Sequence, residues 1–231
     1  MARQLDEQIA GRFPVGQRLR VLDVGMGRGT QALRLARAGH QVTGIEKDAT
    51  MLATARSALG EEPEGIRERV RLIEGDGRDT GVHFLPGSFD LVLCHGVLMY
   101  VDDPDPLLAG LARMLAPGGL LSLLVRNGDA LAVRPGLSGD WGTALAAFDT
   151  TAYRNRLGLD VRADRLGTLT ATLAGIGAPL HAWYGVRVFT DTAADGAPAD
   201  VETLLAVEER AGRTDPYRGV AALLHLCGVR G

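Results

Sequence analysis

Val21-Leu22-Asp23-Val24-Gly25-Met26-Gly27-Arg28-Gly29-Thr30 is the stretch on which the reading of this chain turns. An apolar strand runs straight into three alternating glycines, and a helical pattern begins at Thr30. Glycine accepts positive φ and lacks the Cβ that would hold a ligand away from the backbone. The first amides of the helix that follows have no partner within it and carry the positive end of its dipole. A turn of this kind at the carboxyl end of a buried strand receives a flat-lying ligand. The spacing is Gly-x-Gly-x-Gly, not the Gly-x-Gly-x-x-Gly of a dinucleotide turn. Taken alone, it is also compatible with a plain tight turn.

Neighbouring segments supply what the turn alone does not. A second strand over residues 41–45 ends in Glu46, about twenty residues past Gly25, where a carboxylate can accept both hydroxyls of a ribose. A third, over 70–73, ends in Glu74-Gly75-Asp76-Gly77-Arg78-Asp79, and a fourth, over 89–93, ends in Cys94-His95. Polar residues at the ends of successive apolar strands form a clamp for a nucleoside. Between the strands lie helical patterns: 31–38, closed by Gly39, and a segment opened by Asp48 with Met51, Leu52, Ala55 and Leu59 on one face. Asp105-Pro106 reads as an N-cap and first helical residue, with Leu107, Leu108, Leu111, Met114 and Leu115 as the buried face. Residues 60–69 and 79–88 read as connections. This alternation predicts an α/β fold, a doubly wound and mostly parallel sheet.

These motifs together resemble the class I S-adenosylmethionine-dependent methyltransferases. The resemblance implies a Rossmann-like sheet of seven strands with an antiparallel last strand. It implies S-adenosylmethionine as cofactor, held by Asp23, Gly25, Met26, Gly27 and Gly29 in the first turn, by Glu46 and Lys47 at the ribose, by Asp76, Gly77 and Arg78 at the adenine, and by His95. Leu115-Ala116-Pro117-Gly118-Gly119 matches the turn before the fifth strand, 120–125.

The rest of the chain is less regular. Residues 127–161 break the strand–helix rhythm with two glycine-rich pieces, Trp141, a helical run over 143–148 and Tyr153-Arg154-Asn155-Arg156. Such an excursion after a strand is a candidate lid over an acceptor site. A helix around Leu166, Leu169, Leu173 and Ile176 follows, then a strand from Pro179 through Phe189, a polar loop over 190–200, and a helix from Val201 to about Arg210. The apolar run 220–229 has the length of a helix, whereas the resemblance makes it the antiparallel strand. At the amino end, Leu5 and Ile9 share a helix face before Pro14 and Gly16. No boundary separates a second domain, so one domain over 1–231 is expected.

Composition bounds the function loosely. The chain has 231 residues, 46% hydrophobic and 23% charged, with a net charge of −3, which gives no support to a nucleic-acid partner. Cys94 and Cys227 have no metal-ligand spacing, and no apolar run reaches the length of a membrane span; neither a metal nor a membrane is expected. A reducing cytoplasm is the simplest location for two isolated cysteines.

The acceptor is read from weaker signals. An Asn/Asp-Pro-Pro-aromatic turn, used on exocyclic amines, is absent after the fourth strand, where Cys94-His95-Gly96-Val97 stands. Lys47 is the only lysine and adjoins Glu46, which disfavours a lysine-based ribose chemistry. Cys94 lacks a Pro-Cys context and reads as core. The carboxyl-terminal third resembles the tRNA 5-carboxymethoxyuridine methyltransferases in Tyr184-Gly185-Val186-Arg187-Val188-Phe189, in Glu208-Glu209-Arg210 and in Asp215-Pro216-Tyr217. His95-Gly96-Val97-Leu98-Met99-Tyr100-Val101, Asn127 and the arginines at 154, 156, 162 and 165 fit as well, although Asp160 and Asp164 dilute that basic run. That family also carries an earlier segment with a cofactor-contacting arginine, which would precede residue 1. The resemblance implies methyl transfer to a carboxylate oxygen of a modified wobble uridine in tRNA. Its candidate acceptor contacts are Arg187, Tyr100, Asn127 and Tyr217. A carboxylate is ionised at neutral pH and needs a cation rather than a base, for which Arg187 is the candidate. A small-molecule O- or N-methyltransferase and a non-catalytic cofactor-binding partner protein remain alternatives.

Overall fold

The computed structural model describes residues 1–155, 157–191 and 200–231. In chain order the elements are α1 (Ala2–Arg12), β1 (Arg20–Val24), α2 (Thr30–Arg37), β2 (Gln41–Glu46), α3 (Ala49–Gly60), α4 (Glu64–Arg67), β3 (Val70–Glu74), α5 (Thr80–His83) and β4 (Phe89–His95). They continue with α6 (Asp105–Met114), β5 (Leu115–Arg126), α7 (Val133–Leu137), α8 (Trp141–Ala146), β6 (Ala152–Arg154), β7 (Asp160–Arg162), α9 (Leu166–Gly175), β8 (Leu180–Val186), α10 (Val201–Ala211) and β9 (Leu223–Val229).

Seven strands form one sheet in the order β3-β2-β1-β4-β5-β9-β8, and β6 pairs with β7 in a separate ribbon. The pairs from β3 through β5 are parallel, whereas β9 lies antiparallel between β5 and β8. The sheet is therefore doubly wound with an antiparallel last strand. The run that matched a helix by length is a strand from Leu223, because both of its neighbours offer an open edge to pair with. A strand buried on both faces needs no alternation of apolar and polar residues, so length alone could not separate the two readings.

Successive side chains leave the sheet on opposite sides. Val92, Cys94, Leu121, Leu123, Leu224 and Leu226 meet Leu108 and Leu111 of α6 and Leu169 and Leu173 of α9. Leu91, Leu93, Leu120 and Cys227 face the other way, toward Leu5 of α1 and Leu35 and Ala36 of α2. A third, smaller cluster puts Leu52 and Ala55 of α3 against Met26.

Local chemistry sets several ends. Asp48 caps α3 by accepting from the amides of Thr50 and Met51. The cap of α6 is Pro104 rather than Asp105; the Asp103 carboxylate accepts from the Asp105 amide, which moves the start one residue earlier. The connections 60–69 and 79–88 each hold one short helix, α4 and α5. β8 stops at Val186 instead of running through Phe189. Arg187 adopts φ +60°, and the Glu208 carboxylate accepts from the amides of Val188, Phe189 and Thr190, turning the chain away from the sheet. Arg156 and most of the 190–200 loop, residues 192–199, lie outside the described residues.

Candidate active site at the carboxyl edge of the sheet

Every strand-end motif read from the sequence arrives at one edge of the sheet. Gly25, Gly27 and Gly29 all have positive φ, at +64°, +56° and +79°. The amides of Gly25 and Met26 donate to the carbonyl of Ile45, so the bend is pinned to the end of β2. A Cβ on Gly25 would collide with Cγ2 of Val97, whereas one on Gly27 would meet nothing within 4 Å. The same backbone twist thus has a packed side and an open side, and the open side is a cradle.

Glu46 closes that cradle from β2. Its Oε2 accepts from the Gly27 amide at 2.8 Å and its Oε1 from the Asp48 amide at 2.9 Å, and the residue is buried. Each carboxylate oxygen keeps a second lone pair for a hydroxyl. Asp23 lies beneath the bend, where burial and the Glu46 charge push its carboxyl up to about 7. Two crowded carboxylates favour a ligand that brings positive charge to them.

Just past β3, Asp76 accepts from the Arg78 amide at 3.0 Å and from the Arg78 guanidinium at 3.0 and 2.7 Å. Those bonds hold its carboxyl down at about 2. A Cβ on Gly77 would run into Cγ1 of Val24, which is why the turn after β3 can fold down against the end of β1. Lys47, next to Glu46, contributes positive charge near Asp76.

On β4, neighbouring residues separate in role. Cys94 is fully buried on the α6 face, and burial pushes its thiol up to about 12, so it is not a thiolate at neutral pH. His95 points to the α1 side. Its Nε2 lies 2.9 Å from Ser122 Oγ, and its buried Nδ1 has no protein partner. Burial, with the nearby Arg34 charge, lowers it to about 4, so the ring is neutral.

The acceptor-side candidates scatter more. Arg187 stands just past β8 at the same edge, and its guanidinium reaches Asp191 at 3.5 Å and the Thr190 carbonyl at 3.2 Å. Asn127 is buried and fully engaged: its amide donates to the carbonyls of Gly219 and Ala221, and its Oδ1 accepts from Asp129. It positions the turn after β5, with both side-chain N–H groups taken up within the chain. Tyr100 is half-exposed on a short turn after β4, and Tyr217 is half-exposed beside Phe189, ring centres 6.5 Å apart.

Three residues outside the acceptor contacts expected from the sequence lie on this side. Arg126 ends β5 and pairs with Asp191 at 3.1 Å, with side chains only 12% and 11% exposed. Tyr153 on β6 lies under the Arg126 guanidinium, 5.6 Å from its ring centre. Asp191 therefore sits between Arg126 and Arg187. The missed signal was a charged residue ending a buried apolar strand, the pattern that did single out Glu46. Nearby Asp164 is bound by Arg162 at 2.7 Å, and burial raises its carboxyl.

Among the described residues, no helix is long and apolar enough to cross a membrane. No group of three or more His, Cys, Asp or Glu among them is placed to hold a metal ion.

The strand order, the glycine bend and the acidic residue closing it define a class I S-adenosylmethionine-dependent methyltransferase. Comparison with known proteins agrees: residues 22–123 match the family described as "Methyltransferase domain". The tRNA 5-carboxymethoxyuridine methyltransferase of Escherichia coli K12 is 32% identical over 226 residues, covering 97% of this chain and 84% of that protein. The chain belongs to that enzyme's family. In fold it is similar to an S-adenosylmethionine-dependent methyltransferase from Mesorhizobium loti (TM-score 0.63, 20% identity, covering 97% of this chain and 96% of the other). It is similar as well to the [4+2]-cyclase SpnF (TM-score 0.66, 22% identity, covering 99% and 81%). The second likeness shows how one fold carries different chemistries.

The cofactor fits the residues present. The open face of Gly27, the neighbouring carboxylates of Asp23 and Glu46, and the unpartnered His95 Nδ1 at the end of β4 are compatible with an adenosyl group bearing a cationic sulfur.

Proposed function

We propose that this enzyme esterifies a carboxylate on a tRNA wobble uridine, the substrate class named for its Escherichia coli relative. The observation that carries the reading is the convergence of Arg126 and Arg187, from different strands, on one carboxylate at the edge of the sheet. A carboxylate nucleophile needs no general base, and no candidate base is required of this site. It needs planar cations that fix one oxygen and leave the other free, which guanidinium groups provide. Arg126 Nε is buried without a partner, a donor still to be filled. Asp191 aligns the two guanidiniums, and the acceptor carboxylate takes their remaining N–H groups.

Residues of the chain then divide the work. Gly25, Met26, Gly27 and Gly29 hold the donor along the bend. Glu46 takes the ribose hydroxyls, with Lys47 beside it, and Asp76, Gly77 and Arg78 border the adenine. When bound, S-adenosylmethionine supplies a methyl group made electrophilic by the sulfonium. Alignment of the acceptor against it supplies on the order of 7–11 kcal/mol of barrier lowering. Tyr100 and the Phe189–Tyr217 pair offer faces on which bases stack. The described residues of 127–161 serve as the lid: α7, α8 and the turn after α8 expose Leu137, Trp141, Leu145 and Phe148, apolar surface that closure over a bound anticodon would cover.

The test offers methyl-labelled donor to tRNA bearing 5-carboxymethoxyuridine and, separately, to a pool of small carboxylates. Base-labile label in the tRNA is the expected result. Label confined to small molecules would reject the tRNA reading in favour of a small-molecule methyltransferase, which the net charge of −3 also suits.

A further inference from the structure

A row of polar side chains crosses the apolar layer beneath α1. Gln4 of α1, His225 of β9, Ser122 of β5 and His95 of β4 are joined end to end among Leu5, Leu91, Leu93 and Leu120. The separations are 3.1 Å from Gln4 Oε1 to His225 Nδ1, 2.9 Å from His225 Nε2 to Ser122 Oγ, and 2.9 Å from Ser122 Oγ to His95 Nε2. Gln4, Ser122 and His225 are buried, so water cannot substitute for a missing partner.

The direction of every bond in the row follows from its far end. Gln4 Nε2 lies 3.2 Å from the Gly185 carbonyl, which can only accept. The amide nitrogen must point there, so Oε1 faces His225, and an amide oxygen only accepts. His225 Nδ1 therefore carries the proton. Burial lowers this ring to about 3, so it is neutral and Nε2 is a bare lone pair. Ser122 must direct its hydroxyl proton at that lone pair, since two lone pairs cannot face each other at 2.9 Å. Its oxygen then accepts from His95, which places the His95 proton on Nε2. What remains is His95 Nδ1, a bare acceptor with no protein partner.

We propose that this row holds His95 in the Nε2–H form so that its Nδ1 accepts a hydrogen bond from the ammonium of the donor's amino-acid end. Gln4, His225 and Ser122 are positioning residues that act through it. The proposal rests on the cofactor arrangement given above. In the strand order β3-β2-β1-β4, Asp76, Glu46, the glycine bend and His95 follow one another across the edge. Adenine and ribose occupy the first two places, which leaves the sulfonium and amino-acid end for the last. The N–H donor at that end is the ammonium; the adjacent carboxylate would be repelled by a lone pair. A row of opposite polarity would present Nδ1–H and select the carboxylate instead.

The experiment is nitrogen NMR on ¹⁵N-histidine-labelled full-length protein at neutral pH. Without ligand, the expected spectrum shows opposite tautomers in the two rings, Nδ1–H for His225 and Nε2–H for His95. Like tautomers, or a charged His95, would overturn the proposal. On adding S-adenosylhomocysteine, the His95 Nδ1 signal moves toward the hydrogen-bonded value while Nε2 stays. Binding seen by calorimetry without that movement rejects the ammonium contact. Ser122→Ala is expected to mix the two forms of His95 and to raise the S-adenosylhomocysteine dissociation constant about tenfold. An unchanged His95 tautomer in that variant would show that the row does not set it. Failure of the unaltered protein to bind S-adenosylhomocysteine at all has a separate signature, and would sink the cofactor reading together with the ammonium contact.

Discussion

The donor half of the edge, at the ends of β1 to β4, is built mostly from backbone. Its decisive features are glycine bends, amides and one carboxylate that returns to the chain nineteen residues before it. The half we propose for the acceptor is built from side chains brought together from far apart: Arg126, Tyr153, Arg187 and Asp191 come from β5, β6 and the turn after β8. A cofactor common to many enzymes can be held by local geometry, because its shape never changes. An acceptor must be held by groups that can be exchanged without disturbing that geometry.

Five substitutions would break or sharpen this contrast. The largest effect is expected at the bend itself. Gly25→Ala puts a Cβ into Val97 at positive φ, and S-adenosylhomocysteine binding by calorimetry should vanish with a clear fall in melting temperature. Gly27→Ala, with the same backbone strain but open space, should lose binding while melting within a few degrees of the parent, since that strain is worth about 1–2 kcal/mol. Equal loss of stability in both would deny that the bend has an open side.

Next in size is Arg187→Met. Removing one guanidinium from the carboxylate site should lower kcat/KM for carboxylate-bearing tRNA about a hundredfold, with cofactor affinity within about twofold of the parent. A parallel loss of cofactor affinity would show that the two halves are not separate.

Glu46→Gln keeps the shape and removes the charge. Cofactor affinity should fall about tenfold, read by calorimetry, because hydrogen bonds to a charged acceptor weaken to neutral ones. An unchanged affinity would remove Glu46 from the ribose.

The smallest effect on binding concerns Asp23. Its carboxyl is raised to about 7 in the folded chain, from an ordinary value of 3.8. Between those limits the folded state holds a proton that the unfolded state has released, so stability falls as pH rises from about 4 to about 7. The full span is roughly 4 kcal/mol as an upper figure. Asp23→Asn should abolish that fall and melt higher than the parent at pH 8, while binding the cationic cofactor a few-fold more weakly. Denaturant titrations at pH 5 and pH 8 check it; parallel curves for variant and parent would refute the buried charge.

How much could be read beforehand follows the same division. β1 to β4 and the donor motifs were legible because each is a run of adjacent residues whose chemistry is local: apolar strand, glycine bend, acidic terminus. Arg126 carries the same strand-end signal as Glu46 but finds its partner 65 residues away, and only folding brings Asp191 between two arginines. Asn127 was legible as important but not as a structural tie; its partners at Gly219 and Ala221 are more than ninety residues away. β8 ends before Phe189 because Glu208 collects three amides there, which nothing in Val186-Arg187-Val188 announces.

The order of short-range signals along the chain determined the parallel sheet and the bend, since periodicity, glycine and strand-end charge act within a few residues. Only the tertiary structure decided that residues 223–229 are a strand inside the sheet, that two arginines share one carboxylate, and that three buried side chains run in a hydrogen-bonded row to His95. Hydrogen-bond polarity and burial depend on what lies across the sheet, and no local pattern carries that information.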